Sequence, residues 1–390
     1  MNGATSGPSG PFGTPAPGAS DTGAPAVGGP AAAGGPVTSD PYRLGRRSAT
    51  GLVVMFLLIA LAALSTIVGL PYVVMKPGPI TNTLGKVSGK ELITVSGAPT
   101  YPTQGALDFT TVRVAGGPGY RVTVWDVLKA AIDPNEAVVK EELYFPKGVT
   151  DKQVEEESTA EMIDSQQEAI AVALKATGQK VPTQVVIGQV AKDAPSAALL
   201  RAGDRVLAVD GKKVDGPDAI RSAIGTHKPG DTVALSLQRD GKDVQVDAKT
   251  RESDGRTTVG VFLGTRFDFP FDVKIDAGNV GGPSAGTMFA LGVYDRITPG
   301  ALTGGQKIAG TGTIDATGTV GAIGGIRQKL VGARDGGARW FLAPASNCDE
   351  VVDHVPDGLR VVRISSFDEA RNAVEAIAAG KATGLPTCTR

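Results

Sequence analysis

The chain has 390 residues, enough for two or three domains with hydrophobic cores of their own. Its formal net charge is -1 and its isoelectric point is near 6.2, so it lacks the strong positive charge typical of nucleic-acid-binding proteins. With only two cysteines, two histidines and no G-x-x-x-x-G-K-[ST] motif, the sequence predicts no zinc site, no other metal or cofactor and no ATPase of its own.

Residues 1–48 differ in composition from the rest of the chain. They are mostly Gly, Ala, Pro, Ser and Thr up to about residue 40, and such a segment buries too little apolar surface to offset its chain entropy. We therefore expect a disordered tail here.

An uncharged apolar run follows over residues 51–74, close to the ~20 residues that span a bilayer. It predicts one transmembrane helix within residues 49–75. A cleaved signal sequence is the alternative, but its apolar core would be shorter and nearer the N-terminus. Arg43, Arg46 and Arg47 precede the run, so the positive-inside rule predicts a cytoplasmic tail and an extracytoplasmic body.

Residues 76–180 are predicted to form a small β-rich region followed by a helix. Alternating apolar residues between positions 91 and 114 indicate strands, and residues 151–177 show helical spacing. Trp125 and Trp340 are each isolated aromatic residues, for which packing in a core is the expectation.

Short strands and tight turns fill residues 181–252. The segments 194–197 (APSA), 202–204 (AGD), 209–211 (VDG) and 229–231 (PGD) have the spacing found in bacterial PDZ domains, which this region resembles. The resemblance implies a module that binds an extended peptide at a sheet edge.

Residues 281–286 (GGPSAG) place Ser284 between small residues, just before an apolar stretch that predicts a helix over 285–294. A serine here could be a nucleophile, with the backbone N–H groups of the helix start as donors to an oxyanion. The alternative is an N-cap, for which serine is a favoured residue and which is the commoner role of a serine in such a short motif.

Two residues could act as the base for Ser284. The segment 282–286 fits a G-x-S-x-G elbow, so His354 with Asp349 or Asp353 would complete a triad. The alternative is Lys329, on a helix predicted over 325–337, at the edge of an apolar face formed by its neighbours. Partial burial would lower the pKa of its amine and let it take the serine proton.

The motifs of residues 258–385 resemble the proteolytic domain of the Lon protease family. They are, in order, 283–286 (PSAG), 302–304 (LTG), 320–326 (VGAIGGI), Lys329, 336–338 (GGA) and the strand 340–344 (WFLAP). The resemblance implies Ser284 as nucleophile and Lys329 as base, with a supporting role for Thr303. The Lys-Asp-Gly that usually precedes Pro-Ser in the family is replaced here by residues 279–282 (NVGG), so any role of that acidic residue is lost or displaced.

The expected protein is an α+β multi-domain chain with a transmembrane helix, a β-rich region, a PDZ domain and a Lon-type domain. This order resembles the membrane-anchored PDZ and Lon-like proteins of bacteria. The resemblance implies an ATP-independent serine endopeptidase that crosses the cell membrane once and cleaves extended extracytoplasmic polypeptides. It also makes a homo-oligomer plausible. A non-catalytic, membrane-tethered PDZ adaptor is the alternative. The spacing of Cys348 and Cys388 leaves their pairing open.

Overall fold

The computed structural model describes residues 45–253 and 255–389. The predicted disordered tail and Arg43 lie almost entirely outside these residues. The helices are, in chain order, α1 (Arg46–Ile67), α2 (Val124–Ile132), α3 (Glu141–Tyr144), α4 (Asp151–Ala176), α5 (Pro217–Gly225), α6 (Gly286–Ile297), α7 (Ile326–Asp335), α8 (Cys348–Val351) and α9 (Phe367–Ala378).

The strands are short, and most belong to two six-stranded sheets. In chain order they are β1 (Gly69–Leu70), β2 (Tyr72–Asn82), β3 (Lys86–Val87), β4 (Lys90–Glu91), β5 (Ile93–Ser96), β6 (Ala106–Ala115), β7 (Val122–Thr123), β8 (Ala137–Lys140), β9 (Thr183–Val190), β10 (Arg205–Val209), β11 (Lys212–Lys213), β12 (Thr232–Arg239), β13 (Lys242–Lys249), β14 (Arg251–Ser253), β15 (Arg256–Thr258), β16 (Val261–Phe267), β17 (Asp272–Ile275), β18 (Lys307–Gly310), β19 (Thr313–Ile314), β20 (Val320–Gly321), β21 (Trp340–Pro344) and β22 (Arg360–Ile364).

Helix α1 is the one helix of the described part that is long and apolar enough to cross a membrane. It has 22 residues, a mean hydropathy of 2.4 over its most apolar window, and no buried residue in that window. It ends at Ile67, earlier than the predicted limit of residue 75. The boundary differs because Tyr72–Asn82 is a strand whose residues Val73 and Val74 are fully buried.

The larger sheet has the order β22-β21-β18-β6-β2-β8. Strands β6, β18, β21 and β22 run parallel, whereas β2 is antiparallel to both of its neighbours. Because side chains alternate along a strand, Ile308 enters the core shared with α4, α6 and α9, and Ala309 enters the core under α7 and α8. The sheet therefore carries helices on both faces.

This sheet corrects the expected division between residues 76–180 and 258–385. Strand β6, from the expected β-rich region, pairs with β18 of the C-terminal domain, and β2 pairs with β6. Helix α4, expected at 151–177, buries its apolar face in the same core as α6. A two-stranded hairpin is marginal alone, which explains why these strands join a larger sheet.

The second sheet, β13-β12-β10-β9-β16 with β11 beside β10, has its own core around Ile187, Leu235 and Ile220 of α5. It extends the expected PDZ segment of 181–252, because β16 pairs with β9. The two ends of this module meet, since the N–H of Asp268 donates to the carbonyl of Pro182 at 3.0 Å. The module is thus an insertion between α4 and β17.

Two residue pairs hold the C-terminal segment. Cys348 of α8 and Cys388 form a disulfide with their Cα atoms 5.0 Å apart. The N–H of Arg363 in β22 donates to the carbonyl of Pro386 at 2.9 Å. The segment therefore follows the outer edge of the larger sheet.

Candidate active site

Ser284 lies in a turn immediately before α6. The N-cap of this helix is Ala285, and no side chain caps it. The N-cap interpretation of Ser284 is therefore wrong, and its hydroxyl bonds to Lys329 instead. The carbonyl of Ser284 is held by the N–H of Gly312 and the hydroxyl of Thr311, each at 2.9 Å.

The turn that carries Ser284 is fixed against α4. Gly282 has φ +81°, a left-handed conformation that favours glycine, and its N–H donates to the carbonyl of Ser158 at 3.0 Å. The hydroxyl of Ser165 donates to the carbonyl of Pro283 at 2.9 Å. At Gly286, a Cβ would lie 2.7 Å from the hydroxyl oxygen of Ser165, so glycine permits this close approach. These contacts explain the small residues around Ser284.

Lys329 approaches Ser284 from α7. Ile326, Leu330 and Ala333 of that helix are buried in one core, as the apolar spacing predicted. The amine Nζ of Lys329 lies 2.8 Å from Ser284 Oγ and 2.9 Å from Thr311 Oγ1. Only 3% of the residue is exposed, and burial lowers the pKa of its amine from 10.5 to about 7. A substantial fraction of the amine is therefore neutral near pH 7.

The third group at this site is the hydroxyl of Thr311, which the sequence analysis did not single out. Thr311 follows β18 directly, where the parallel strands end, and it is fully buried. The sequence signal that could have found Thr311 is its position directly after a buried parallel strand, because polar residues at that place often line ligand-binding or active sites.

Thr303, the residue expected to support the pair, lies elsewhere. Its hydroxyl donates to the carbonyl of Gln104 at 2.6 Å and accepts from the N–H of Gly305. These bonds stabilise the loop before β18 and do not reach Ser284 or Lys329. The structure therefore does not bring Thr303 together with Ser284 and Lys329, and the threonine hydroxyl that contacts Lys329 is that of Thr311.

The triad interpretation is not supported by the geometry. His354 is exposed, and the hydrogen bond described for its ring joins Nδ1 to the carbonyl of Val352 at 3.0 Å. Asp349 is also exposed. The basic group in contact with Ser284 is the amine of Lys329.

A cleft of about 710 Å³ opens above Ser284 and Lys329. One wall is formed by residues 110–114 of β6 and residues 144–146, and the other by α4 and residues 279–285. Strand β18 pairs with β6 only from Ala106 to Phe109, whereas β6 continues to Ala115. The volume is within the range of ligand sites in proteins, and the second half of β6 borders it.

Comparison with known proteins agrees with both modules. Residues 154–250 match the family model of the PDZ domain, and residues 268–376 match that of the Lon protease (S16) C-terminal proteolytic domain. The PDZ match includes most of α4, which the structure packs on the proteolytic core, and ends before β16.

Relatives with curated descriptions match about a quarter of this chain. Lon protease 2 of Bacillus subtilis is 29% identical over 107 residues, which are 27% of this chain and 18% of that protein. Lon protease of Treponema pallidum is 33% identical over 96 residues, 23% of this chain and 10% of that protein. The chain thus spans less than a fifth of the length of these relatives.

Among solved structures, the PDZ domain of the SdrC-like protein from Listeria monocytogenes is 29% identical. The similarity covers 20% of this chain and 86% of that domain, with a TM-score of 0.20. The two family models and the Lon protease relatives identify the chain as one that joins a PDZ domain to a C-terminal proteolytic domain of the Lon protease (S16) family.

Proposed function

We propose that this chain is a membrane-anchored serine endopeptidase that uses Ser284 as nucleophile and Lys329 as general base. The observation that carries the proposal is the 2.8 Å contact between Nζ of Lys329 and Oγ of Ser284, together with a lysine pKa of about 7. A serine hydroxyl is a weak nucleophile until a neighbouring base takes its proton, and a neutral amine can do so.

The hydroxyl of Thr311 orients the amine. Thr311 donates its single hydrogen to the carbonyl of Ser284, so it accepts a hydrogen from Nζ of Lys329. With one N–H engaged in this way, the lone pair of the neutral amine can face the hydroxyl of Ser284. Proton transfer to Lys329 accompanies attack on the scissile carbonyl, and the resulting ammonium then protonates the leaving amine.

An oxyanion needs donors near the start of α6. The N–H of Gly286 donates to Pro283 and the N–H of Thr287 donates to Gly312. We therefore assign the N–H of Ala285 to the oxyanion. A donor of this kind contributes roughly 3 to 4 kcal/mol to transition-state stabilisation where it has been measured.

The substrate that fits the cleft is an extended polypeptide. The part of β6 beyond Phe109 borders the cleft and can pair with an added strand, which would pass Ser284. Strand β16 is an edge of the PDZ sheet, where a peptide segment can add in the same way. No P-loop motif occurs in these 390 residues, so we expect cleavage of already extended chains without ATP.

The location proposed is the outer face of a bacterial membrane, with α1 as the anchor. Arg46 and Arg47 lie at the N-terminal end of α1, which favours a cytoplasmic N-terminus. The disulfide between Cys348 and Cys388 supports an oxidising compartment for the body of the protein.

Peptide cleavage by the full chain in detergent or vesicles tests the proposal. Ser284→Ala and Lys329→Ala should each abolish turnover while thermal unfolding remains cooperative. Arg327→Ala is the matched control, because it removes an exposed basic side chain from the same helix and should leave turnover unchanged. Retained activity in Lys329→Ala would reject the pair.

A second readout separates the peptidase from a non-catalytic PDZ adaptor. A serine-reactive covalent probe should label Ser284, identified by peptide mapping, and fail to label the Lys329→Ala protein. Peptide binding without labelling or cleavage in the unaltered chain would favour the adaptor. Loss of activity in His354→Ala would restore the triad.

A further inference from the structure

Helix α2 has an exposed apolar face. Trp125, Leu128 and Ile132 are 47%, 51% and 81% exposed, and their spacing of three and four residues places them on one side of the helix. The opposite side packs through Ala130 and Val127 against the strands below. Trp125 was expected to pack in a core, but nearly half of its surface is exposed.

The position of α2 in the fold is tied to the end of α1. The chain leaves α1 at Ile67 and enters β1, which pairs with β7, and α2 begins at the next residue after β7. Gly69 is paired with Thr123, so their Cα atoms are about 5 Å apart. The start of α2 therefore lies next to the segment that follows the apolar span by two residues.

The residues around this face have the chemistry of a membrane interface. Indole rings favour the headgroup region, and Tyr120, in the turn before β7, is also exposed. Lys129 is exposed at the flank of the apolar face, where its stem can cover apolar surface while its amine reaches the headgroups. Asp126 points to the other side of the helix, where its carboxylate accepts from Thr123 in a capping box.

We propose that α2 lies on the bilayer surface, with Trp125, Leu128 and Ile132 inserted at the boundary between headgroups and acyl chains. The proposal rests on α1 being the membrane anchor. The apolar face of α2 contacts the lipid surface and not a second copy of the chain, because the β1–β7 pairing holds this face beside the end of the span. A second attachment point restricts rotation of the protease body about residue 68.

The two tryptophans of the chain allow a direct test. The full chain is reconstituted in phosphatidylcholine and phosphatidylglycerol vesicles that contain lipids brominated along the acyl chain. In Trp340→Phe the remaining indole is Trp125, and we expect bromolipid quenching of about twofold or more for a ring ~5–10 Å into the interface. In Trp125→Phe the remaining Trp340, half-buried under the guanidinium of Arg360, should be quenched little.

Flotation of the vesicles distinguishes the proposal that α1 is the membrane anchor from the proposal that α2 lies on the bilayer surface. Ile132→Glu in the Trp340→Phe chain should reduce quenching of Trp125 while the protein still floats with the vesicles. Flotation without quenching of Trp125 would overturn the role of α2 and leave the anchor intact. Crosslinking between copies through the same face, again without quenching, would assign it to a second chain. Loss of flotation would overturn both the anchor and the surface helix.

Discussion

A lysine acts as a base only when its amine is neutral, and the burial of Lys329 makes that form accessible near pH 7. Burial lowers the pKa of this amine from 10.5 to about 7. The neutral fraction therefore grows as pH rises through 7 and is complete well above it. We expect kcat/KM for a fluorogenic peptide to fall about tenfold per pH unit below 7 and to reach a plateau above 8.

The same pKa shift of Lys329 also makes the stability of the fold depend on pH. Between pH 7 and the unfolded value near 10.5, the folded chain binds fewer protons at Lys329 than the unfolded chain, so this group makes stability rise with pH there. Lys329→Met should remove that dependence and raise the melting temperature below pH 7, although it abolishes activity. A pH–rate profile whose midpoint lies near 10 would contradict the assignment of Lys329, with its lowered pKa, as the general base.

Thr311 positions Lys329 and should affect the rate more than the stability. Thr311→Val keeps the shape and removes both hydrogen bonds, so kcat should fall about 10- to 100-fold, the equivalent of one hydrogen bond to a charged group. Thr311→Ser should restore most of the rate. A changed midpoint of the pH–rate profile in Thr311→Val would show that Thr311 also alters the pKa of the Lys329 amine. An unchanged rate in that variant would remove Thr311 from the site.

At the scale of single residues, the sequence predicted the pair of Ser284 and Lys329, which the structure places in contact, and did not single out Thr311 beside them. Ser284 and Lys329 stood out because small residues and paired glycines surround them in a family pattern. Thr311 and Thr303 each precede a glycine, and local sequence does not tell which threonine ends a strand beside the serine. Only the pairing of β18 with β6 and β21 decides that, and β6 lies about 200 positions before β18 in the chain.

Helix α6 depends on glycine at its first residue. In Gly286→Ala the added methyl group would lie 2.7 Å from the hydroxyl oxygen of Ser165 and 2.9 Å from Cγ2 of Ile314. Either α4 or α6 must move, which should lower the free energy of unfolding by about 1–3 kcal/mol and displace Ser284. Denaturant unfolding and peptide cleavage measure the two effects.

Gly324→Ala is the matched control for that variant. Gly324 also borders the cleft, but its Cβ would meet nothing within 4 Å. Its effect on unfolding should stay within about 0.5 kcal/mol. Equal losses in the two variants would mean that helix propensity or general loop strain, and not the contact with Ser165, explains the result.

The disulfide links α8 to the C-terminal segment. It closes a loop of 40 residues between Cys348 and Cys388, for which the entropy of the unfolded chain predicts a stabilisation of about 4 kcal/mol. The double variant Cys348→Ser, Cys388→Ser should therefore melt at a lower temperature than the oxidised protein. Reductant should lower the melting temperature of the unaltered chain and leave that of the double variant unchanged. A reductant-insensitive unaltered chain would mean that the bridge does not form.

At the scale of elements, local patterns located α1, α4, α6 and α7, and long-range pairing set the domain limits. The helix expected at 151–177 is observed as Asp151–Ala176 because its apolar spacing and its capping box at Thr150 and Gln153 are local signals. The limits of the PDZ module could not be read in this way, since β16 joins its sheet only through pairing with β9. The predicted span includes residues 72–75, the start of β2, because apolar residues favour both environments.

At the scale of the whole molecule, the PDZ module is inserted into the part of the chain that carries the Lon-type domain. The two have separate cores, one around α4 and α6 and the other around β10 and β12. Their junction is narrow, because Thr183 and Phe267 are paired in antiparallel strands and Pro182 bonds to Asp268. A domain whose ends meet in this way can be removed without separating the elements on either side.

Excision of the PDZ module tests that architecture together with the role proposed for it. Replacing residues 184–266 by Asn-Gly would close Thr183 and Phe267 with a two-residue hairpin turn, which their antiparallel pairing accommodates. Because Ser284, Thr311 and Lys329 keep their supports, kcat/KM for a short peptide should stay within about threefold of the full chain. Cleavage of an unfolded protein should fall about tenfold or more, since the second attachment point for an extended chain is gone. If short-peptide cleavage is lost while the body still unfolds cooperatively, the PDZ module must act on the catalytic residues and not only on substrate binding.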